Sequence, residues 1–115
     1  MAVMRVGLNG FGRIGKLIAR VMASTPELRR NIQLVAINDP GMTVQDAVRN
    51  FKYDSVHGRH PNEVAVENGD KLCIEGLGAI RFESSKETLP WGELGVDMVF
   101  EATGIYAKNL WNQKH

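Results

Sequence analysis

A glycine-rich turn between an apolar run and an amphipathic segment constrains the fold of this chain more than any other feature. It reads Gly-Phe-Gly-Arg-Ile-Gly over residues 10–15, with glycines at the G-x-G-x-x-G positions. Val3–Leu8, just before the turn, is short and apolar and predicts a buried strand. After the turn, apolar residues recur at helical spacing and predict a helix with one buried stripe, made of Ile14, Leu17, Ile18, Val21 and Met22.

The rest of the chain continues as short strands. Ile32–Ile37 predicts a second buried strand, and two strands joined by a helix are normally parallel, with a right-handed crossover. Val64–Glu67 and Lys71–Ile74 flank Asn-Gly-Asp, a strong hairpin signal, and Ala79–Phe82 predicts one more strand. Val96–Ala102 predicts a return to the parallel sheet. Together these patterns indicate an α/β fold of the Rossmann dinucleotide-binding type, with a mostly parallel sheet and an antiparallel hairpin excursion.

A second helix is predicted between the parallel strands and the hairpin. Thr43 and Asp46 have the spacing of a capping box, in which each side chain accepts a hydrogen bond from the other residue's N–H group. We therefore expect the helix to begin there. Its buried face is expected to contain Val44, Ala47, Val48 and Phe51.

Each glycine of the turn has a physical role in holding a dinucleotide. Gly10 permits the tight turn out of the strand, Gly12 lets a pyrophosphate approach the backbone, and Gly15 lets the helix pack closely on the sheet. The first N–H groups of a helix have no partner inside it and carry partial positive charge, so a phosphate fits there. Arg13 adds a cation beside that position.

An acidic residue follows the second strand at a useful distance from the turn. Asp39 lies beyond Gly15 at close to the roughly 20 residues expected of a ribose-binding carboxylate. A carboxylate there would accept hydrogen bonds from the ribose hydroxyls and repel a 2′-phosphate, which favours NAD over NADP. Two simpler interpretations stay open: the glycines form only a tight turn, and Asp39 only begins the Asp-Pro-Gly turn.

Composition excludes several other classes of protein. Lys plus Arg is 14 and Asp plus Glu is 13, a net charge of +1, which gives no electrostatic case for nucleic-acid or membrane-surface binding. No apolar run approaches the ~20 residues of a membrane span. Met1–Gly12 lacks the pattern of a signal peptide. Cys73 is the single cysteine, which rules out an internal disulfide, and we expect a cytoplasmic protein.

Metal binding is also not expected. His57 and His60 are close enough in sequence to be two ligands, but no third ligand is evident nearby. Cys73 lies between Leu72 and Ile74 in the predicted hairpin, without a helix N-terminus or a cationic cluster to lower its pKa. We therefore expect solvated or hydrogen-bonding histidines and a structural cysteine.

Four ordered motifs together resemble the phosphorylating glyceraldehyde-3-phosphate dehydrogenase family. They are Val6–Gly15 (VGLNGFGRIG), Ala36–Pro40 (AINDP), Tyr53–Gly58 (YDSVHG) and Glu101–Gly104 (EATG). The resemblance runs in register over nearly all of the chain, and it covers about the first third of a family chain. It implies that residues 1–115 are the N-terminal part of the NAD-binding domain and that the catalytic domain is absent from this chain.

The resemblance also implies roles for individual residues. Arg13 and Ile14 match turn residues that contact the NAD pyrophosphate, and Asn38 and Asp39 match the adenosine-ribose contact. The Thr-Gly pair of the last motif matches a position that lines the adenine and nicotinamide side of the cleft. With the turn itself, the predicted cofactor-binding residues are Asn9, Gly10, Phe11, Gly12, Arg13, Ile14, Gly15, Asn38, Asp39, Thr103 and Gly104.

Two departures from the family pattern matter. The family usually has Glu-Arg-Asp-Pro in the loop after the third strand of the excursion, and its Arg helps to enclose the adenine. Here the loop is shorter and reads Glu83–Glu87 (ESSKE), so the resemblance assigns no adenine contact to it. The family nucleophile, a Cys in Ser-Cys-Thr-Thr-Asn, and its partner His do not occur. We therefore predict no catalytic residues and no activity for this chain alone.

Three functions remain open from the sequence. The first is the NAD-binding part of an enzyme that oxidises glyceraldehyde 3-phosphate with NAD and phosphate to 1,3-bisphosphoglycerate in glycolysis, as a homotetramer. The second is part of an erythrose-4-phosphate dehydrogenase, although the Asp39-Pro40 pair favours the first. The third is a non-catalytic dinucleotide-binding module. Because the chain stops at His115 inside a predicted helix, we also expect the isolated chain to be marginally stable or to self-associate.

Overall fold

The computed structural model describes residues 3–53, 63–87 and 89–102. Within those ranges, six strands form one sheet in the order β3-β4-β5-β2-β1-β6. Three helices lie between the strands in sequence. The elements are β1 (Met4–Asn9), α1 (Arg13–Ser24), α2 (Pro26–Arg29), β2 (Ile32–Asn38), α3 (Val44–Tyr53), β3 (Val64–Glu67), β4 (Lys71–Ile74), β5 (Gly78–Glu83) and β6 (Met98–Glu101).

Parallel pairing dominates the centre of the sheet, which confirms the predicted fold class. β1 pairs in parallel with both β2 and β6. The hairpin of β3 and β4 is antiparallel, as predicted, and β5 runs antiparallel to β4. β5 also pairs with β2, and this pairing is parallel. The excursion therefore extends the parallel sheet and does not stand apart from it.

The buried face of α1 differs from the predicted stripe. Its buried residues are Gly15, Ala19, Met22 and Ala23, whereas Ile14 and Leu17 are each 59% exposed and Val21 is 45% exposed. The prediction was right for Met22 and for Ile18, which is partly buried. It was wrong for Ile14, Leu17 and Val21 because it took the larger apolar residues as the contact face. Small residues at every fourth position let the helix approach the sheet more closely.

The predicted start of α3 is confirmed in atomic detail. The Thr43 N–H donates to Asp46 Oδ2 at 3.1 Å, and the Asp46 N–H donates to Thr43 Oγ1 at 3.1 Å. Both halves of the capping box are therefore formed. The residues Val44, Ala47 and Phe51 are buried, as the spacing predicts.

Three phenylalanines join the glycine turn to the core. The Phe11 side chain is fully buried, and its ring stacks on Phe51 of α3 with centroids 6.0 Å apart. The ring of Phe82 from β5 meets Phe11 edge to face at 6.2 Å. Aromatic pairs of this geometry are each worth about 0.5–1.5 kcal/mol beyond the area they bury. The turn after β1 is thus anchored between a helix and the sheet.

The helices within the described ranges are too short or too polar to cross a membrane.

Candidate functional site

The predicted site residues that the structure describes gather at one edge of the sheet. β1, β2, β5 and β6 run in the same direction, so their carboxyl ends lie side by side. Asn9 ends β1 and Asn38 ends β2, while the glycine turn and Asp39 follow directly. In open α/β sheets, ligands bind outside the carboxyl ends of the strands.

The backbone of the glycine turn explains two of its three glycines. Gly10 has a φ of +107°, a conformation that favours glycine, and its N–H donates to the Asn38 carbonyl oxygen at 2.6 Å. A Cβ on Gly15 would overlap the Gly10 carbonyl oxygen. The tight turn at Gly10 and the close packing at Gly15 are therefore required by the chain itself.

Nothing within the chain itself requires a glycine at position 12. Its φ is −79°, which other residues adopt, and a Cβ there would meet no described atom within 4 Å. The missing side chain leaves open space beside the backbone at the start of α1. Such a space suits a ligand that approaches the main chain closely, which is the role that the motif assigns to this glycine.

The start of α1 suits a negatively charged group. Gly12 is the N-cap and supplies no side-chain hydrogen bond, and the first turn of the helix contains no acidic residue. The first intrahelical bond runs from the Lys16 N–H to the Gly12 carbonyl oxygen, at 2.9 Å. The preceding N–H groups carry the positive end of the helix dipole. Arg13, which is exposed, adds a full positive charge.

Asp39 is directed at the glycine turn. Its Oδ2 accepts the Phe11 N–H at 2.8 Å, and its Oδ1 accepts the Gly41 N–H at 2.9 Å. The side chain is half-buried. An ionised carboxylate has about four acceptor positions, so two remain for the hydroxyl groups of a ligand. The carboxylate is therefore held in place by the backbone and keeps capacity to bind.

Side-chain amides connect the ends of four strands. Asn38 Nδ2 donates to Asn9 Oδ1 at 3.0 Å and to the Ser85 carbonyl oxygen at 3.1 Å, and Asn38 Oδ1 accepts the Ser85 N–H at 2.9 Å. Asn9 Nδ2 donates to Glu101 Oε2 at 3.0 Å. We call the chain Glu101–Asn9–Asn38–Ser85 the amide bridge. Asn38 is only 4% exposed, so its side chain presents little surface to a ligand.

Ser85 and Glu101 were not among the predicted site residues. A signal for them exists in the sequence, because asparagines at the carboxyl ends of two neighbouring strands need partners for their amide groups. Which partners they find depends on strand order, which the local pattern does not give.

Other predicted residues have different outcomes. Thr103 and Gly104 lie outside the described residues, and so do His57 and His60. Among the described side chains, no three of His, Cys, Asp or Glu lie close enough together to hold a metal ion.

The pKa of the Cys73 thiol is raised, by burial first and then by its hydrogen bond to the Glu67 carboxylate at 3.3 Å. This opposes the thiolate form that a nucleophile requires.

Comparison with known proteins identifies the family. Residues 4–109 match the family model described as glyceraldehyde 3-phosphate dehydrogenase, NAD binding domain. The chain is 45% identical over 114 residues to glyceraldehyde-3-phosphate dehydrogenase 2 of Kluyveromyces marxianus, with 98% of this chain and 33% of the relative covered. It is 44% identical over 107 residues to the enzyme of Oncorhynchus mykiss, with 92% of this chain and 30% of the relative covered.

The chain thus spans about a third of the length of the curated relatives it matches. The matched segment contains the glycine turn, Asp39 and all six described strands. Taken together, the sheet order, the turn and this match show that the chain belongs to the glyceraldehyde 3-phosphate dehydrogenase family, as its NAD-binding domain.

Proposed function

We propose that the carboxyl edge of β1 and β2 is the NAD site of this domain. The residues proposed to form the site are Asn9, Gly10, Phe11, Gly12, Arg13, Ile14, Gly15, Asn38 and Asp39, with Thr103 and Gly104 following β6. The observation that carries the proposal is the hydrogen bond from the Phe11 N–H to Asp39 Oδ2 at 2.8 Å. This bond joins the glycine turn to the acidic residue after β2, and the motif assigns both of them to the binding of one dinucleotide.

The two halves of this site would hold different groups of NAD. The open backbone at Gly12 and the N–H groups at the start of α1 would hold the pyrophosphate, with Arg13 beside it. Asp39 would accept the adenosine ribose hydroxyls with its two remaining acceptor positions. Phe11 would contribute only its backbone, since its ring is buried in the core.

The reaction of the whole protein is proposed from its relatives. We infer that the parent enzyme oxidises glyceraldehyde 3-phosphate with NAD and phosphate to 1,3-bisphosphoglycerate, as a cytoplasmic, glycolytic homotetramer. The names of the matched relatives support the dehydrogenase activity on glyceraldehyde 3-phosphate. The Ser-Cys-Thr-Thr-Asn motif does not occur in this sequence, so this chain alone would bind NAD without turning it over.

Calorimetric titration with NAD and NADP tests the site. We expect NADP to bind at least about tenfold more weakly than NAD, because a 2′-phosphate would face the Asp39 carboxylate. Asp39→Asn should weaken NAD binding by about tenfold, since hydrogen bonds to charged groups are worth about 1.5–3 kcal/mol. The same substitution should reduce the difference between the affinities for NAD and NADP.

Asp70→Asn is the matched control, because Asp70 is exposed in the turn between β3 and β4 and the charge change is the same. It should leave both affinities unchanged. Equal affinity of the unsubstituted chain for NAD and NADP would remove the role proposed for Asp39.

A further inference from the structure

The amide bridge has a feature that packing alone does not explain. Asn38 is the one polar or charged residue that is buried within the described ranges, and both donor hydrogens of its amide are used inside the chain. An apolar residue of similar volume would fill the same space without needing partners. A fully satisfied buried polar group instead selects one arrangement of the groups it joins.

The groups that Asn38 joins belong to different parts of the proposed site. On one side its amide contacts Asn9, the residue that leads into the glycine turn. On the other side it contacts both the N–H and the carbonyl oxygen of Ser85, in the loop after β5. A backbone hydrogen bond also links these two segments, since the Asp39 N–H donates to the Glu83 carbonyl oxygen at 2.9 Å.

Strand order gives the positions of the cofactor groups relative to this bridge. The proposed pyrophosphate site follows β1, and the proposed ribose acceptor Asp39 follows β2. β5 lies beside β2 on the side away from β1. The base attached to that ribose would therefore extend toward the loop of residues 84–87.

That loop has a defined conformation before any ligand is considered. Ser85 is bound at both backbone polar groups by Asn38. Its hydroxyl also accepts the Glu87 N–H at 3.1 Å and lies 3.2 Å from the Glu87 carbonyl oxygen. A loop already ordered in its binding conformation avoids the cost of immobilising side chains and backbone when the ligand arrives.

We propose, resting on the NAD site above, that Asn38 is a positioning residue: it holds the loop of residues 84–87 at a fixed separation from the glycine turn, so that the adenosine half of NAD meets a preformed surface. Asn38 acts through Ser85 and Asn9 and not by direct contact with the cofactor. The pyrophosphate half of the site does not depend on this bridge, because Gly10 is held through the Asn38 backbone.

Titration of the full chain with three ligands tests this proposal: NAD, AMP and inorganic pyrophosphate. Asn38→Leu removes the amide and keeps the branching and the number of heavy atoms of the side chain. We expect the affinities for NAD and AMP to fall by about tenfold, because the loop must then be ordered on binding. The affinity for pyrophosphate should be unchanged. Asn50→Leu, the same substitution at a half-buried position of α3, should leave all three affinities unchanged.

A second variant addresses the case in which Asn38→Leu does not fold. Ser85→Pro removes the N–H that donates to Asn38 Oδ1 and leaves the buried residue in place. Ser85→Pro should likewise weaken the binding of AMP and leave the affinity for pyrophosphate unchanged. Amide hydrogen exchange of the free protein gives an independent measurement, since the N–H groups of residues 85 and 87 should exchange faster in Asn38→Leu than in the unsubstituted chain.

Each outcome decides the question. Loss of AMP and NAD affinity with pyrophosphate unchanged supports the positioning role. Equal weakening of all three ligands means that Asn38 only supports the fold and overturns the proposal, as does unchanged binding of all three. If the unsubstituted chain binds none of the ligands, the proposed NAD site itself is wrong. The unsubstituted chain therefore tests the NAD site, and the variants test the positioning role of Asn38.

Discussion

Gly12 and Gly15 lie in the same turn but are glycines for different reasons. The chain leaves no room for a side chain at Gly15, because a Cβ would overlap the Gly10 carbonyl oxygen. It leaves open space at Gly12, where no described atom lies within 4 Å of a Cβ. One glycine is therefore needed for folding, and the other is explained by a ligand. Single substitutions can separate the two roles.

Gly15→Ala should lower stability by about 1–3 kcal/mol, the usual cost of forcing an extra methyl group into a packed site. Gly12→Ala should leave the melting temperature nearly unchanged and weaken NAD binding by about tenfold or more. Thermal melts and calorimetric titration of the two variants measure this, and each variant serves as the control for the other. Unchanged NAD affinity in Gly12→Ala would contradict the role assigned to that glycine.

At the scale of single elements, α3 shows how a helix end is specified locally. The capping box uses only Thr43 and Asp46 and satisfies an N–H group at each residue. The pKa of Asp46 is lowered from its ordinary value of 3.8, first by the hydrogen bond from the Thr43 N–H and then by the Thr43 side chain. Arg49, whose Nη1 lies 3.3 Å from the carboxylate, adds a smaller effect in the same direction.

This lowered pKa gives α3 a defined pH dependence. The pKa of Asp46 is lower in the folded than in the unfolded chain, so its stabilisation is fully present above pH 3.8 and is lost as the pH falls through the folded-state value. Asp46→Asn should therefore be less stable than the unsubstituted chain at pH 7 and approach it in acid. Urea unfolding at several pH values measures the difference.

Thr43→Ala provides the comparison for that experiment. It removes the uncharged half of the capping box, in which the Thr43 hydroxyl accepts the Asp46 N–H. Loss of such a cap typically costs about 1 kcal/mol, and here the loss should persist in acid. A stability difference for Asp46→Asn that stays constant between pH 7 and pH 2 would refute the assignment.

At the scale of the whole molecule, strand order creates the site. The glycine turn, Asp39 and the loop after β5 are far apart in the chain and meet because β1, β2 and β5 are neighbours that run in one direction. The rings of Phe11, Phe51 and Phe82 join this edge to the core. Binding at the edge should therefore stabilise the entire folded domain. Self-association of the chain stays a prediction that size-exclusion chromatography can test.

NAD should raise the melting temperature of the chain in a concentration-dependent way, because only the folded state holds the turn and Asp39 together. At 100 times the dissociation constant, the expected stabilisation is about 2.7 kcal/mol. Differential scanning calorimetry over a range of NAD concentrations measures it, with NADP at equal concentration for comparison. No shift at a concentration that saturates binding would show that NAD binds the unfolded chain equally well.

Features that depend on neighbouring residues were predictable from the sequence. The hairpin strands Val64–Glu67 and Lys71–Ile74 have the predicted bounds, and the turn between them has positive φ at Asn68 and Gly69, as Asn-Gly favours. The parallel pairing of β1 with β2 followed from the helix between them. Prediction of the α1 face failed for Ile14, Leu17 and Val21, since apolar spacing does not say how closely a helix approaches its sheet.

Neighbouring residues alone specify the local chemistry: the turn that needs Gly10 and Gly15, the capped start of α3, and an acid placed after the second strand. Long-range packing sets which faces are buried, pairs β5 with β2, and brings Asn38 into contact with Asn9 on one side and Ser85 on the other. Separation along the chain accounts for this difference. Turns and caps are formed by adjacent residues, whereas sheet order and the amide bridge depend on contacts between segments that only the complete fold brings together.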